Sequence, residues 1–439
     1  KKQKKFSEVT SVSVDLYGSL SLTGKGHATD IALLLGLFGF DPVTFPTEKI
    51  DEIISRVKSK KLLKFNNEKD LVFNCEKDIT FHRNFLDFHP NGMTFNAVLN
   101  NGKTHSTTYY SIGGGFVVKE ERKRAKKKGE LFSHFPYPIA KGTELLAYCK
   151  AEEKSVSETV WENEKALRTE KKIDDKIKAI WQVMLESMYE GCHTEGTLPG
   201  GLNVHRRAFD THKKLIGNAK YTNTEEWVEA IRNTEVKFRQ ILKWVSCFAL
   251  AVNEVNASLG RVVTAPTNGS AGVIPAVLMY YLVIENHQAG FEEIKKFLLV
   301  SGEIGSLFKK GATISAAMGG CQAEIGVSSA MAAGALTELM GGCPEQVLDA
   351  SEIAMEHHLG LTCDPIAGLV QIPCIERNAM GAIKAISACE MALDRDPSKA
   401  KVPLDKVIET MWETAKDMHS NYKETSEGGL AVKVSLSDC

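Results

Sequence analysis

The sequence predicts an α+β protein, with a small N-terminal α/β domain over residues 1–150 and a mostly α-helical domain over residues 151–439. A chain of 439 residues exceeds what one hydrophobic core ordinarily serves, so two domains are expected. Short strand patterns characterise the first part of the chain, whereas long helical patterns take over from Glu152 onward.

The first predicted element is a strand, followed by a glycine-rich loop and a helix. Apolar and polar residues alternate over 11–16, which is the period of a half-buried strand. The loop runs from Tyr17 to His27, and the apolar segment 28–38 predicts a helix. This layout is typical of loops whose free backbone N–H groups, together with the positive end of the helix dipole, face an anion.

Weaker strand patterns follow near 72–73, 94–99, 107–110 and 116–118, and the stretch 119–150 is rich in loop-forming residues. The glycine triplet between Ser111 and Phe116 allows two interpretations. A phosphate cradle would point to pyridoxal phosphate. A strand pattern rather than a helix comes next, so the sequence favours a tight turn or bulge.

The second domain contains long helical patterns joined by short loops. Pro344 and Pro403 stand where helices are expected to begin. Alanine-rich helices that are apolar on most faces predict burial in the middle of the domain. The predicted helices span 156–190, 224–256, 291–308, 326–340, 344–358, 376–394 and 404–422.

After Gly428 and Gly429, apolar residues alternate from Leu430 to Leu436, which predicts an extended C-terminal tail. At about 3.3 Å per residue this tail reaches roughly 30 Å. It would carry Cys439, the last residue, into a distant cleft.

Composition argues against several functional classes. The 54 Lys and Arg residues against 55 Asp and Glu leave a net charge of −1, whereas nucleic-acid binding needs clustered excess cation. We interpret the basic run 122–128 as a solvated loop. The longest apolar run, 273–284, is shorter than the roughly 20 residues that span a bilayer, and no apolar signal-peptide core follows the basic N-terminus. The ten cysteines lack disulfide-framework spacing, so reduced thiols and a cytoplasmic protein are expected.

Three cysteines lie in segments that suit a metal site: glycines precede Cys321, and prolines flank Cys363 and Cys374. Three thiolates can hold a 4Fe-4S cluster and leave one iron open for chemistry, which a terminal Cys439 is able to occupy and release. Ordinary core packing is the alternative for each thiol. Cys343 also follows two glycines, so local context does not single out three cysteines.

His27 is a candidate general base, because a neutral imidazole with a pKa near about 6.5 is poised to take a proton at neutral pH. A capping or core-edge histidine is the alternative interpretation. The polar loops at Thr23-Gly24-Lys25 and Thr267-Asn268 suit a small polar ligand, and they suit ordinary loops equally well.

Together, five segments resemble the bacterial iron–sulfur L-serine dehydratases (L-serine ammonia-lyases) of the single-chain form, over nearly the whole chain. They are Tyr17-Gly-Ser-Leu-Ser-Leu-Thr-Gly-Lys-Gly-His27, Tyr109-Tyr-Ser-Ile-Gly-Gly-Gly115, Arg261-Val-Val-Thr-Ala-Pro-Thr-Asn-Gly269, Met355-Glu-His-His-Leu-Gly-Leu-Thr-Cys-Asp-Pro365 and Ile372-Pro-Cys-Ile-Glu-Arg-Asn378.

The resemblance implies an oxygen-sensitive enzyme that converts L-serine to pyruvate and ammonia, with a 4Fe-4S cluster as Lewis acid. The implied cluster ligands are Cys321, Cys363 and Cys374. Cys439 matches the cysteine that caps the fourth iron at rest, and His27 matches the proposed base. The N-terminal domain is similar to the allosteric substrate-binding domain of some phosphoglycerate dehydrogenases, which implies an L-serine effector site and a homodimer.

One departure concerns the N-terminus. Family members begin with a further segment that carries a Gly-Pro-Ser-Ser-Ser-His-Thr motif, which is absent here. We expect either a truncated chain or one from which that segment has been removed, and in both cases the second candidate histidine is missing. Two other functions stay open on the residues alone. A pyridoxal-phosphate-dependent hydroxy-amino-acid deaminase needs a Schiff-base lysine, which no motif identifies, and a non-catalytic small-molecule sensor would use the cysteines as a structural metal site.

Overall fold

The computed structural model describes residues 6–120 and 134–434, and within them a sheet domain precedes a helical domain. The basic run 122–128 and Cys439 lie outside the described residues. The predicted α+β class, with the sheet first and the helices after it, is confirmed. The strands are β1 (Val9–Tyr17), β2 (Leu62–Phe65), β3 (Lys69–Val72), β4 (Ile79–Phe81), β5 (Gly92–Leu99), β6 (Thr104–Ser111) and β7 (Val117–Lys119).

The main sheet has the strand order β4-β1-β5-β6-β7, and β2 and β3 form a separate hairpin. Strand β1 runs parallel to β4, with Val14 opposite Ile79, and antiparallel to β5, with Val12 opposite Ala97. The predicted turn at the glycine triplet is confirmed, because Gly113, Gly114 and Gly115 all have positive φ and connect β6 to β7.

The helices of the N-terminal domain are α1 (Ser19–Leu22), α2 (Thr29–Phe38), α3 (Ile50–Lys60) and α4 (Cys75–Asp78). The alternating residues of β1 turn one face inward, where Val14 and Leu16 are buried with Leu34 and Phe38 of α2. This packing holds the β1–α2 connection, and with it His27, at one end of the sheet.

The helical domain packs around two helices that are buried along most of their length, Val273–Tyr280 and Ile325–Leu339. Its helices are α5 (Gly142–Ala151), α6 (Val156–Lys165), α7 (Glu170–His193), α8 (Arg207–Ile216), α9 (Thr224–Arg232), α10 (Phe238–Asn256), α11 (Val273–Tyr280), α12 (Phe291–Gly311), α13 (Ala316–Gly319), α14 (Ile325–Leu339), α15 (Pro344–Glu356), α16 (Cys374–Leu393), α17 (Leu404–Asp417) and α18 (Leu430–Lys433).

Helix α14 is the predicted alanine-rich helix in the middle of the domain, and it packs against α11, α12, α15 and α16. It is buried from Ile325 to Thr337. Small residues let the neighbours approach closely, since a Cβ on Gly334 would lie 2.4 Å from the Ser351 hydroxyl. Polar side chains on this buried helix have hydrogen-bond partners; for example, the Ser329 hydroxyl donates to the Gly381 carbonyl at 2.8 Å.

Two predicted helices are each divided into two. The predicted helix 156–190 breaks before Glu170, because Thr169 has extended backbone and precedes the first turn of α7. The predicted helix 224–256 breaks in the same way at Lys237, which precedes α10. Part of the loop-rich stretch is also helical, since α5 packs on the helical domain through Leu145 and Cys149.

The prediction of an extended tail is wrong for the part of it that is described. Residues Leu430–Lys433 form a short helix, α18, rather than a strand. The Asp364 carboxylate accepts a hydrogen bond of 2.8 Å from the Leu430 amide, and an acidic group at a helix N-terminus stabilises it. An alternation of only a few residues does not outweigh this tertiary contact.

Contacts between the domains involve both the β1–α2 connection and the loop that follows α2. The Arg261 guanidinium donates to the carbonyls of Val43 and Phe45. A Cβ on Gly26 would lie 2.2 Å from the Gly368 carbonyl oxygen, so the two backbones touch there. Among the described residues, none of the helices is both long enough and apolar enough to cross a membrane.

We expect Gly191→Ala to destabilise the protein. Helices α7 and α10 touch at this glycine, where an added Cβ would lie 2.3 Å from the Ala251 carbonyl oxygen. Overpacking of this kind costs about 1–3 kcal/mol, so the thermal denaturation midpoint should fall. Gly302→Ala is the matched control: it lies inside α12 with open space around it, and should gain about 0.5–1 kcal/mol. Equal midpoints for the two variants would contradict this account of the α7–α10 contact.

Candidate active site

The three predicted metal-binding cysteines come together at the helical side of the domain junction. Cys321 lies in the turn before α14, Cys363 lies in the loop after α15, and Cys374 is the first residue of α16. Their exposed fractions are 1%, 3% and 8%. Cys321, Cys363 and Glu324 each place a possible ligand atom within 4.8 Å of the other two.

Cys321 affects the thiols of the other two cysteines. A hydrogen bond to Cys321, reinforced by burial, raises the pKa of the Cys363 thiol well above its ordinary value. Burial raises the pKa of Cys374 in the same direction, with a further contribution from the charge of Cys321. Cys343 is not part of this group, because it lies at the start of α15, where its amide bonds to Gln346. The tertiary structure therefore distinguishes three cysteines that local sequence context did not.

Two buried carboxyl groups accompany the thiols, and neither was predicted. Glu324 accepts a hydrogen bond of 2.6 Å from the Thr267 hydroxyl. Burial raises the pKa of both Glu324 and Glu424, and for Glu424 the charges of Glu324 and Cys321 add to the shift. Glu324 stands three residues after Cys321, a spacing that could have drawn attention to it, whereas nothing local marks Glu424.

A guanidinium lies against the cysteine group. Arg377 donates to the Cys321 sulfur at 3.3 Å and to the Asp364 carboxylate at 3.0 Å. Three thiols and two carboxyl groups buried around it form a strongly acidic site. Such a donor set fits a bound metal, since a metal cation replaces the thiol protons and stabilises the thiolates.

His27 faces this group from the N-terminal domain. Its Nδ1 lies 3.5 Å from a carboxylate oxygen of Glu424, and its Nε2 is buried without a hydrogen-bond partner among the described residues. Burial lowers the pKa of His27 to about 4, so the imidazole is neutral at pH 7. An unpartnered Nε2 beside a cavity is free to accept a proton.

The glycine loop that precedes His27 does not form the expected anion cradle. The short helix α1 follows β1 directly. The amides of Thr23, Gly24 and His27 then donate to carbonyls of the same segment, at 3.1, 3.2 and 3.0 Å. These N–H groups are therefore not free for a phosphate.

A cavity of about 1100 Å³ lies between the two domains, and residues of both domains line it. His27 and Gly26 line it from one side, and Glu324, Cys374 and Glu424 from the other; Cys363 also lines it. Within the described ranges no lysine lines the cavity, so the arrangement gives no support to a pyridoxal-phosphate Schiff base.

The other predicted ligand-binding residues have different positions. Thr267, Asn268 and Thr23 line the cavity. Gly24 packs against the Leu20 carbonyl, and Lys25 is exposed with its ammonium 5.5 Å from the centre of the Phe81 ring. Lys25 therefore points away from the cavity.

Comparison with known proteins agrees with this organisation. The family model described as serine dehydratase beta chain matches residues 1–122, and the one described as serine dehydratase alpha chain matches residues 151–431. L-serine dehydratase 1 of Escherichia coli is 48% identical over 97% of this chain and 90% of its own. L-serine dehydratase of Haemophilus influenzae is 46% identical (99% of this chain, 92% of its own), and that of Streptomyces coelicolor is 47% identical (97% and 90%).

These matches confirm the resemblance seen in the sequence motifs. The chain belongs to the L-serine dehydratase family and carries the family's beta-chain and alpha-chain regions in one polypeptide.

Proposed function

We propose that this enzyme is an L-serine ammonia-lyase that converts L-serine to pyruvate and ammonia. The observation that carries the proposal is the position of His27, which lines the same cavity as Cys363 and Cys374, while Cys321 lies close to Cys363 behind them. The names of the relatives support the same reaction and the same substrate.

We assign Cys321, Cys363 and Cys374 as the ligands of a 4Fe-4S cluster, which would supply a Lewis-acidic iron that binds the substrate's β-hydroxyl and makes it a better leaving group. The burial of the thiols and the raised pKa values of Cys363 and Cys374 support the assignment, because such cysteines ionise readily only with a metal. Arg377, which donates to the Cys321 sulfur, would hold that thiolate in place.

His27 acts as the general base. Its Nε2 takes the Cα proton of serine, the Cα–H electron pair becomes the Cα=Cβ bond, and the β-hydroxyl departs with its bonding electrons as hydroxide. A proton from solvent converts the hydroxide to water, and the imidazolium later returns its proton to solvent. The resulting aminoacrylate tautomerises to an imine, which water hydrolyses to pyruvate and ammonia. Burial supports this role, because it keeps His27 neutral and its lone pair available at pH 7.

Thr267 and Asn268 are assigned to substrate contact, since both line the cavity beside Glu324. We also propose that the N-terminal domain binds a second L-serine as effector and that the chain forms a homodimer, both on the resemblance of that domain. The contact between Gly26 and Gly368 offers a direct route from the domain to the cysteine loops, because movement of one backbone displaces the other.

Cys439 is proposed to cap the open iron at rest. The segment that leads to it begins at the metal-binding loop, where the Leu430 amide bonds to Asp364, next to Cys363. A tethered thiolate has an effective concentration of about a millimolar, so substrate must compete with it.

The cofactor and the reaction are tested together on anaerobically prepared protein. We expect iron and acid-labile sulfide at about four of each per chain, and pyruvate formation from L-serine that oxygen abolishes. Cys374→Ser should lose most of the iron and all turnover. Cys343→Ser is the matched control, since Cys343 lies away from the site, and it should retain both. Zinc, or no metal, in the anaerobic wild type would contradict the assignment.

The capping proposal makes a separate prediction. Cys439→Ala should reach half-maximal rate at a lower L-serine concentration, because the competing thiolate is gone, and should lose its iron faster in air. Rate measurements over a serine titration and the decay of iron absorbance in air check both effects. Ser437→Ala, which keeps the thiol, serves as the control. A higher serine requirement in Cys439→Ala would show that the cysteine does not compete with substrate.

A further inference from the structure

We propose that Glu424 is the positioning residue of His27: its carboxylate accepts the Nδ1 proton of the imidazole and thereby directs the Nε2 lone pair into the cavity. The inference rests on the proposed function, in which His27 is the base. It gives a role to Glu424, which lies in the site but is assigned neither as a cluster ligand nor to substrate contact.

The geometry of the pair carries the proposal. The Glu424 carboxylate oxygen lies 3.5 Å from His27 Nδ1, and the two side chains are only 15% and 24% exposed. This separation exceeds the roughly 2.7–3.2 Å of an ordinary N–H···O hydrogen bond, so the two groups face each other without being bonded in this structure. Catalytic hydrogen bonds are often long in ligand-free enzymes and tighten when substrate binds. Nε2, on the opposite side of the ring, has no partner among the described residues.

The backbone of Glu424 gives an independent indication. Its φ is +58°, in the left-handed region that is unfavourable for a residue other than glycine. Hydrogen bonds hold it there: the Glu424 amide donates to the Cys363 carbonyl at 2.9 Å, and the Cys363 amide donates to the Tyr422 carbonyl at 2.8 Å. Glycine would adopt this conformation without the cost, so the strain is tolerated to place a glutamate side chain here.

The N-terminal domain contacts the same short segment. The Ser19 hydroxyl donates to the Lys423 carbonyl at 3.1 Å, which fixes the residue before Glu424 to the domain that carries His27. Glu424 is therefore held between the loop of a cluster ligand and the domain of the base. The position of its side chain therefore depends on both the Cys363 loop and the N-terminal domain.

The carboxylate has a chemical task in the reaction. A neutral imidazole in a buried site is a weak base, because the imidazolium formed when it takes a proton is poorly solvated. A Glu424 oxygen that accepts from Nδ1 selects the tautomer in which Nε2 carries the lone pair. The carboxyl group also stabilises that imidazolium once it has ionised, which burial and the neighbouring acids make harder than for an exposed glutamate. The Cα proton ends on Nε2, while the Nδ1 proton stays in the hydrogen bond with Glu424.

Two substitutions separate this role from a purely structural one. Glu424→Gly relieves the backbone strain and removes the carboxylate, so it should fold at least as stably as wild type yet lose about 10²-fold or more in kcat. KM for L-serine should change by only a few-fold, since serine binding does not use Glu424. Glu424→Gln keeps an oxygen that accepts from Nδ1 but lacks the charge, so its kcat should lie between those of Glu424→Gly and wild type.

Lys61→Gly is the matched control for strain. Lys61 also has a positive φ, of +52°, but it lies at the end of α3, in the N-terminal domain. This variant should keep full turnover. If Glu424 mattered only through its backbone shape, Glu424→Gly would behave like Lys61→Gly, and the proposal would be overturned.

A spectroscopic measurement tests the tautomer directly. Nitrogen-15 spectra of the histidine-labelled full chain with its cluster should assign the proton of His27 to Nδ1 in wild type and in Glu424→Gln. In Glu424→Gly the proton should move to Nε2 or divide between the two nitrogens. A His27 that keeps the Nδ1 proton in Glu424→Gly would count against the inference.

The outcomes also distinguish this inference from the function on which it rests. If iron-loaded wild type formed no pyruvate from L-serine, the proposed function itself would be wrong. Active wild type with an equally active His27→Gln would remove His27 as base. Active wild type, inactive His27→Gln and fully active Glu424→Gly would overturn the role of Glu424 alone.

Discussion

Cys363 pairs through both of its backbone groups with the segment Tyr422–Glu424, and the rest of the site depends on this short bridge. One side of the bridge positions a thiol among the other two. The other side places the Glu424 carboxylate near His27. Because the Ser19 hydroxyl bonds to the same segment, a disturbance of the bridge would reach the three thiols, His27 and the domain contact together.

Burial of so many acids in one place is unfavourable without compensation, since an isolated charge costs roughly several kcal/mol to remove from water. Thr267 and Arg377 offset part of this cost by donating to Glu324 and to the Cys321 sulfur. The raised pKa values of the thiols and carboxyl groups show that the compensation is incomplete among the protein's own groups. A bound metal would supply the missing positive charge, and the same demand ties folding of the site to metal binding.

The accuracy of prediction varied with the range of the interactions involved. Strand β1 and helix α2 followed from local periodicity, and the buried alanine-rich helix α14 followed from composition. Helix α3, for which no helix is predicted above, buries four apolar residues at helical spacing, a pattern that the sequence itself displays: Ile50, Ile53, Ile54 and Val57. The helix at 430–433 was not predictable in this way, because its first amide bonds to Asp364, 66 residues earlier in the chain.

The sequence by itself determined the class of the fold and the family, because periodicity and motifs are properties of neighbouring residues. Only the tertiary structure decided which side chains share the site. It brought Glu324, Glu424 and Arg377 to the cysteines, excluded Cys343 and turned Lys25 away. The physical reason is that a buried polar cluster is assembled by contacts between distant segments of the chain. The residues next to Glu424 in the sequence therefore give no indication that it faces His27.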